Sequence, residues 1–366
     1  MAKPHHIYAE VLEPRALNQF HDALKQEFVI SGALMPDAHS GYSLPIGAVI
    51  ATRDIVVPAW VGYDIGCGMC ALPTSFDADD IRENSRVIFD EVCRRVPIGN
   101  SLRGTALPLD KNVSDLTRLG QGIYKSRKGA LSLGTLGGGN HFIEIGASDT
   151  GQVWVIIHSG SRGVGHGLAT EYMKLAANSD QPLEGHHGFH VDSNVGQDYI
   201  NDLNWGLDFA LENRKAMMKD IVASMATVCH GKADWDYLIN RNHNHAVERD
   251  GLWIHRKGAT HAEDGMMGVI PGNMRDGSFI VRGKGNADSL WSSSHGAGRV
   301  LSRSEAKEQI SMGDFEKTME GITARVTTKT RDESPAVYKS IFDVMHLQSH
   351  LVDVVTHVKP IINIKG

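Results

Sequence analysis

The run "GYDIGCGMC", residues 62–70, sets a carboxylate, Asp64, three positions before a thiol, Cys67. Gly66 and Gly68 flank the cysteine and free the backbone to aim both side chains at one point, where a carboxylate and a thiolate can share a divalent cation. Cys70 completes a C-x-x-C, which could instead be half of a zinc ribbon or a redox pair. A ribbon needs a second C-x-x-C and a thioredoxin-like site needs a βαβ frame, and the sequence offers neither.

Three further runs offer nitrogen ligands. In "LGTLGGGNHFIEI", residues 133–145, Gly137, Gly138 and Gly139 can turn consecutive N–H groups toward an anion, with Asn140, His141 and Glu144 following. No Lys-Ser/Thr comes next, so this is not a Walker-type loop. "VWVIIHSGSRGVGH" is an apolar strand ending at His158, then a small-residue loop holding Arg162; a lone strand-end histidine is more often structural than ligating. "NRNHNHAVE" supplies His243, Asn244 and His245, and one of the two histidines is expected to face a shared site. Asp64, Cys67, His141, His158 and His243 together exceed what one tetrahedral zinc requires. Two Mn²⁺, Zn²⁺ or Co²⁺ ions bridged by the thiolate would use them all, and such a pair suits phosphoryl chemistry.

A last run, "WSSSHGAGRVLSR" from residue 291, puts His295 between small hydroxyl residues and Gly296-Ala297-Gly298, with Arg299 and Arg303 just beyond. These neighbours offer almost no apolar surface, so packing does not account for the histidine.

Such groups need a frame. Ile81, Ile88, Val92 and Val96 mark one stripe of a helix over 80–96, stopped by Pro97. A long helix is expected over 203–229, with Met217, Met218, Met225 and Cys229 as core filler. Another is expected over 334–357, with Ser334 as N-cap and Pro335 at the first helical position, leaving "KPIINIKG" room for one strand. Between them lie β-rich runs at 48–51, 153–157, 252–255 and 278–281, and most chemical segments sit at the end of one. The alternation is irregular, and no linker, charge block or repeat divides the chain. The expectation is α+β: a single domain, 1–366, of mixed β-sheets flanked by helices around a cleft.

Composition narrows the function classes. A formal net charge of -6 over 366 residues argues against a broadly basic nucleic-acid-coating surface, so any polyanion site must be focused. Four cysteines in so long a chain do not read as a disulfide framework. Without an export signal or an apolar span, a soluble cytoplasmic protein is expected. His5, His6, His186 and His187 are expected to be exposed.

The ordered segments "MPDAHSGYSLPIGAVIA", "VGYDIGCGM", "LGGGNHFIEI", "HSGSRGVGH", "RKGAT", "VIPGNM", "SFIVRG" and "SHGAGRVLSR", with the terminal Lys-Gly, resemble the RtcB family of RNA-splicing and RNA-repair ligases. The resemblance implies an RtcB-like fold with two Mn²⁺ ions in its cleft, and GTP as cosubstrate. His295 would attack the α-phosphorus of GTP and become guanylylated; GMP would pass to an RNA 3′-phosphate; a 5′-hydroxyl would then attack that end and expel GMP. Ends bearing a 2′,3′-cyclic phosphate would first be hydrolysed. By match of motif, Asp64, Cys67 and His141 fit one Mn²⁺, with Cys67 bridging to a second held by His158 and His243. Asn140, Glu144, His243, Asn244, Pro271, Gly272, Asn273, Met274, Ser278, Gly296, Ala297, Gly298 and Tyr338 fall where the family binds GTP, and Lys365 where a lysine reads the guanine. Glu144 or Asp64 would orient His295, while Arg162, Arg299 and Arg303 would grip RNA phosphates. The partners implied are RNA with those ends, for repair of transfer or ribosomal RNA or for transfer-RNA splicing, together with GTP; an activating protein factor is left open.

The chain departs from the family by compression at about 100–130, by a short segment at 176–200, and by His261 where an arginine is expected. Two other functions compete. A dimetal 2′,3′-cyclic phosphodiesterase would need the five ligands but not His295 or Lys365; a noncatalytic RNA-binding protein would need neither set.

Overall fold

The computed structural model describes residues 3–366. Two mixed β-sheets carry the architecture, flanked by helices. A five-stranded sheet is ordered His5–Ile7, Val29–His39, Ile46–Thr52, Leu252–Lys257, Asn244–Arg249. An eight-stranded sheet runs Met267–Pro271, Ser278–Gly283, Val352–Lys365, Phe142–Ser148, Val153–Ser159, Gly68–Thr74, Ile239–Asn242, with Thr323–Ala324 beside Val352–Lys365. The pairings of these two sheets are antiparallel except those of His5–Ile7 and Thr323–Ala324, so no βαβ series organises the chain. Each of the four β-rich runs lies inside a strand.

The expected helix over 80–96 comes as two, Ala78–Glu83 and Ser85–Arg95. The break is at Asn84, whose side-chain amide donates to the Asp80 carbonyl and competes with the helical ladder. Ile81, Ile88, Val92 and Val96 are buried together with Ile143, Ile145 and Val155 of the larger sheet. The long helix begins earlier than expected and spans Asn194–Met225, its first turn capped by the Ser193 hydroxyl. Met217, Met218, Met225 and Cys229 are core, as expected.

The expected helix over 334–357 does not form. Ser334 and Pro335 open only a 3₁₀ turn, Pro335–Val337, and a short helix, Ile341–Leu347, starts afresh on the Ser340 cap. Val352–Lys365 is a strand with both edges occupied, by Ser278–Gly283 and by Phe142–Ser148. Val352, Val354, Val355, Thr356 and Val358 are β-branched, stiff at χ1 and suited to a pleated surface, and this outweighs the Ser-Pro start signal. The strand carries Asn363 and Lys365 into the site. No helix of the described residues is long and apolar enough to cross a membrane.

Candidate active site

The five ligand candidates form one chain of contacts. Asp64 Oδ2 lies 2.9 Å from His141 Nε2, which lies 3.4 Å from Cys67 Sγ; Cys67 Sγ lies 3.1 Å from His158 Nε2, which lies 3.3 Å from His243 Nε2. Cys67 thus stands between two imidazoles, where a bridging thiolate would be needed. His141 Nδ1 is 2.9 Å from the Leu136 carbonyl and His158 Nδ1 is 3.2 Å from that of Asn140. A carbonyl only accepts, so each Nδ1 carries the proton and each Nε2 turns a lone pair into the cluster. Arg162 Nη1, 3.4 Å from His141 Nδ1, is therefore a neighbour rather than a donor.

Two imidazole lone pairs facing each other, as at His158 and His243, are repulsive unless positive charge sits between them. Protons are poor candidates: burial, then His141 and His295, drives His158 well below its ordinary pKa, and burial, then His295, does the same to His243. Burial, reinforced by Asp64, pushes the Cys67 thiol well up. The mixed N, S and O donor set fits divalent transition metal, whose charge would stabilise the thiolate. All four cysteines are free, and Cys70 packs in the apolar core with Ile143 and Val155 while Cys67 faces the histidines, so the C-x-x-C is not a disulfide and its two sulfurs point to different surroundings.

Two neighbours on the long helix hold this cluster in place. Arg214 Nη1 donates to the carbonyls of Gly66 at 2.8 Å and Ser159 at 2.7 Å, while Nε and Nη2 reach Asn240 and Asn242, each at 2.7 Å. Asn213 accepts from Gly134 N at 2.7 Å and Thr135 N at 3.1 Å, and donates to the carbonyls of Thr135 and Gly160. The loops bearing Cys67, His158 and the glycine triplet are thus pinned from one helix. Gly68 is required by space: a Cβ there would lie 2.1 Å from the Arg241 carbonyl oxygen. The triplet itself packs on the Arg162 guanidinium and on Gly366, whose N–H donates to the His141 carbonyl.

His243 falls between the strands Ile239–Asn242 and Asn244–Arg249. A continuous strand would turn residues two apart to the same face. The interruption sends His243 into the cluster and leaves His245 stacked on His261, ring centroids 4.5 Å apart. His261 in turn pairs with Glu263 at 3.1 Å. His186, expected to be exposed, is half-buried and accepts from the Trp60 indole N–H at 3.2 Å.

The carboxylate that holds His295 is Asp37, not Asp64 or Glu144. Asp37 Oδ2 accepts from His295 Nδ1 at 2.7 Å, from His295 N at 3.1 Å and from Gly296 N at 3.2 Å. Burial alone would raise the Asp37 carboxyl, but the His295 imidazole outweighs it and keeps the acid below its usual range. With Nδ1–H committed, Nε2 keeps its lone pair. Gly298, at φ +77°, lets the loop close down: a Cβ there would lie 2.2 Å from the Asp37 carbonyl oxygen. The His295 ring meets His243 edge-on at 4.8 Å, which joins this dyad to the ligand cluster.

His295 borders two cavities. The first, about 270 Å³, is bounded by the Pro271–Met274 turn, His295–Gly298, Asn140, Tyr338, Asn363 and Lys365. Glu144 and Ser278 are buried outside this lining, and Glu144 Oε1, Ser278 Oγ and Asn363 Oδ1 have no hydrogen-bond partner among the described residues. Burial pushes the Glu144 carboxyl up to about 8, against the pull of Ser278 and Lys365. Glu333, unremarked in the sequence, is the hub of one wall. It accepts from Lys365 at 2.9 Å and from Tyr338, and pairs with Arg299 at 3.2 Å and Arg303 at 3.1 Å. Arg299 also donates to Leu301 O and Asp332 O, so its fork is committed within the protein, whereas Arg303 is half-exposed and bonds through Nη1. Arg162 Nε is buried without a partner among the described residues.

The second cavity, about 240 Å³, lies on the ligand side, bounded by Asp64, Cys67, His243, Asn244, Lys257 and Tyr63 among others. Asn244 lines this cavity together with Asn140, His243 and His295; it donates to the Asp64 carbonyl and accepts from Gly258 N.

A family model described as "tRNA-splicing ligase RtcB" matches residues 19–124 and 121–366. The chain is similar to the RNA-splicing ligase RtcB of Escherichia coli K12, at 34% identity over 97% of this chain and 95% of that protein. It is also similar to the tRNA-splicing ligase RtcB of Nanoarchaeum equitans, at 29% over 100% and 96%, and to that of Thermococcus kodakarensis, at 28% over 91% and 87%.

Proposed function

The chain belongs to the RtcB family of RNA ligases, and from that premise we propose that it joins RNA 3′-phosphate or 2′,3′-cyclic phosphate ends to 5′-hydroxyl ends, using GTP and Mn²⁺, through a guanylylated His295. The observation that carries the reading is the Asp37–His295 pair: a buried carboxylate fixes Nδ1–H, and the free Nε2 lies between a nucleotide-sized cavity and a cluster of metal donors.

His295 Nε2 attacks the α-phosphorus of GTP; a P–N bond forms as the P–O bond to pyrophosphate breaks, and Asp37 stabilises the positive charge that grows on the ring. An oxygen of the RNA 3′-phosphate then attacks the same phosphorus and expels the imidazole. The 5′-hydroxyl finally attacks the RNA phosphorus, loses its proton and releases GMP. The guanine is held at the end of the first cavity by Lys365, Tyr338 and the unpartnered oxygen of Asn363, with the buried Glu144 and Ser278 behind that lining and Asn140, Pro271, Gly272, Asn273, Met274, Gly296, Ala297 and Gly298 around the nucleotide. Arg162 and Arg303 take RNA phosphates, while Arg299 is scaffold for Glu333. Asp64, Cys67, His141, His158 and His243 would hold the Mn²⁺, which would supply charge neutralisation for the phosphates.

The test is to mix an RNA ending in a 2′,3′-cyclic phosphate with one beginning in a 5′-hydroxyl. Joined product that requires both GTP and Mn²⁺ supports the reading. Opening of the cyclic phosphate without joining, indifferent to GTP, would favour a phosphodiesterase.

A further inference from the structure

The second cavity is built for more than metal. Tyr63, next to Asp64 in sequence, lines it while its ring stacks on His166, centroids 5.1 Å apart and 24° from parallel. Tyr42 stands edge-on to Tyr63 at 6.4 Å with 60% of its surface exposed, and lines the same cavity. Lys257 is buried in the wall of the same cavity. Its ammonium donates to the carbonyls of Tyr42 at 2.6 Å and Ala59 at 3.2 Å, and no carboxylate lies within ion-pair distance among the described residues. Glu184, on the same wall, acts on it only at longer range. A buried ammonium held by neutral carbonyls is an open partner for an anion. Aromatic rings lining the same cavity are what an unpaired base stacks on.

We propose that Tyr63, backed by His166 and flanked by Tyr42, is the stacking platform for the base of the 3′-terminal nucleotide of the RNA, whose phosphate lies between Lys257 and the metal donors. The inference rests on the ligase reading above. It commits to the 3′ end for a geometric reason. In-line transfer requires the RNA phosphate to approach the guanylylated phosphorus from the side opposite His295 Nε2, the side that pyrophosphate vacates. With guanosine in the first cavity, the second is the other cavity that borders His295, and its cation and metal donors suit the phosphate that must enter. Because every base has a π-face, the platform tolerates any terminal base and prefers the purines, with their larger faces.

An RNA oligonucleotide ending in 2-aminopurine riboside 3′-phosphate, titrated into the Mn²⁺-loaded protein, reads the stack by fluorescence. Binding should quench the terminal base. Tyr63→Ala should weaken binding by about tenfold or more and abolish the quench, while Tyr63→Phe, which keeps the ring, should restore both. Tyr42→Ala, which removes an exposed ring, should show partial loss and provides the test should Tyr63→Ala not fold. A quench unaffected by Tyr63→Ala and Tyr42→Ala overturns the proposal. So does a Tyr63-dependent quench seen only when the fluorescent base is moved to the 5′-hydroxyl end. The readout needs no turnover: failure to ligate with the quench intact would count against the ligase reading and not against the platform.

Discussion

Asp37 and His295 are 258 positions apart in the chain, and their side chains meet at 2.7 Å. The carboxylate fixes which ring nitrogen is protonated, so its loss should act on chemistry before binding. Asp37→Asn should slow covalent uptake of guanylate by on the order of 10²–10⁴, with GTP affinity little changed. An undiminished uptake rate would contradict the assignment.

Arg214 should matter through geometry. Arg214→Met leaves the Gly66 and Ser159 carbonyls and two asparagine side chains without their shared donor. Each buried acceptor left unsatisfied costs about 1–3 kcal/mol. Denaturant unfolding should show that loss, and Arg214→Lys, with fewer donors, should recover only part of it. Full stability in the Met variant would mean the helix does not hold the ligand loops.

Glu144 sets a pH dependence. Its folded pKa is raised to about 8 from 4.5, so the folded state holds a proton that the unfolded state has lost between those values. Its contribution to stability is therefore present below about pH 4.5 and is lost as pH rises through 8, on the order of a few kcal/mol in all. Glu144→Gln removes this slope. In thermal melts without nucleotide, the Gln variant should gain on wild type from pH 5 to pH 8; parallel curves would contradict the buried neutral acid.

Cys67 is the shared donor of the proposed metal pair. Wild type should bind two Mn²⁺ per chain and melt at higher temperature as Mn²⁺ is added. Cys67→Ala should lose both the metal content and the metal-dependent shift, read by elemental analysis and melting. Retention of both metals in Cys67→Ala would remove the thiolate from the centre.

Legibility followed the range of the physics. The ligand set could be read because Asp64 and Cys67 share one glycine-flanked turn and because most of the chemical segments sit at the end of a β-rich run; the structure brings all five together. Strands were legible as β-branched runs, and the stripe of Ile81, Ile88, Val92 and Val96 as a helix face. The terminal strand was misread because Ser334-Pro335 is a genuine local start signal, while the pairing that overrides it comes from residues 142–148 and 278–283, far away in sequence. Asp37 and Glu333 were missed for the same reason, since each meets its partners only in three dimensions. Asn213 and Arg214 could have been found: they are polar residues on the buried face of an amphipathic helix, beside Phe209, Ala210 and Met217.

The central claim is that His295 carries guanylate. The most direct measurement is to incubate the protein with Mn²⁺ and GTP labelled at the α-phosphate, denature it, and map any covalently retained label. The account predicts a label on His295 through an acid-labile P–N bond, absent in His295→Ala. No retained label with any divalent metal, or equal labelling of His295→Ala, would contradict it.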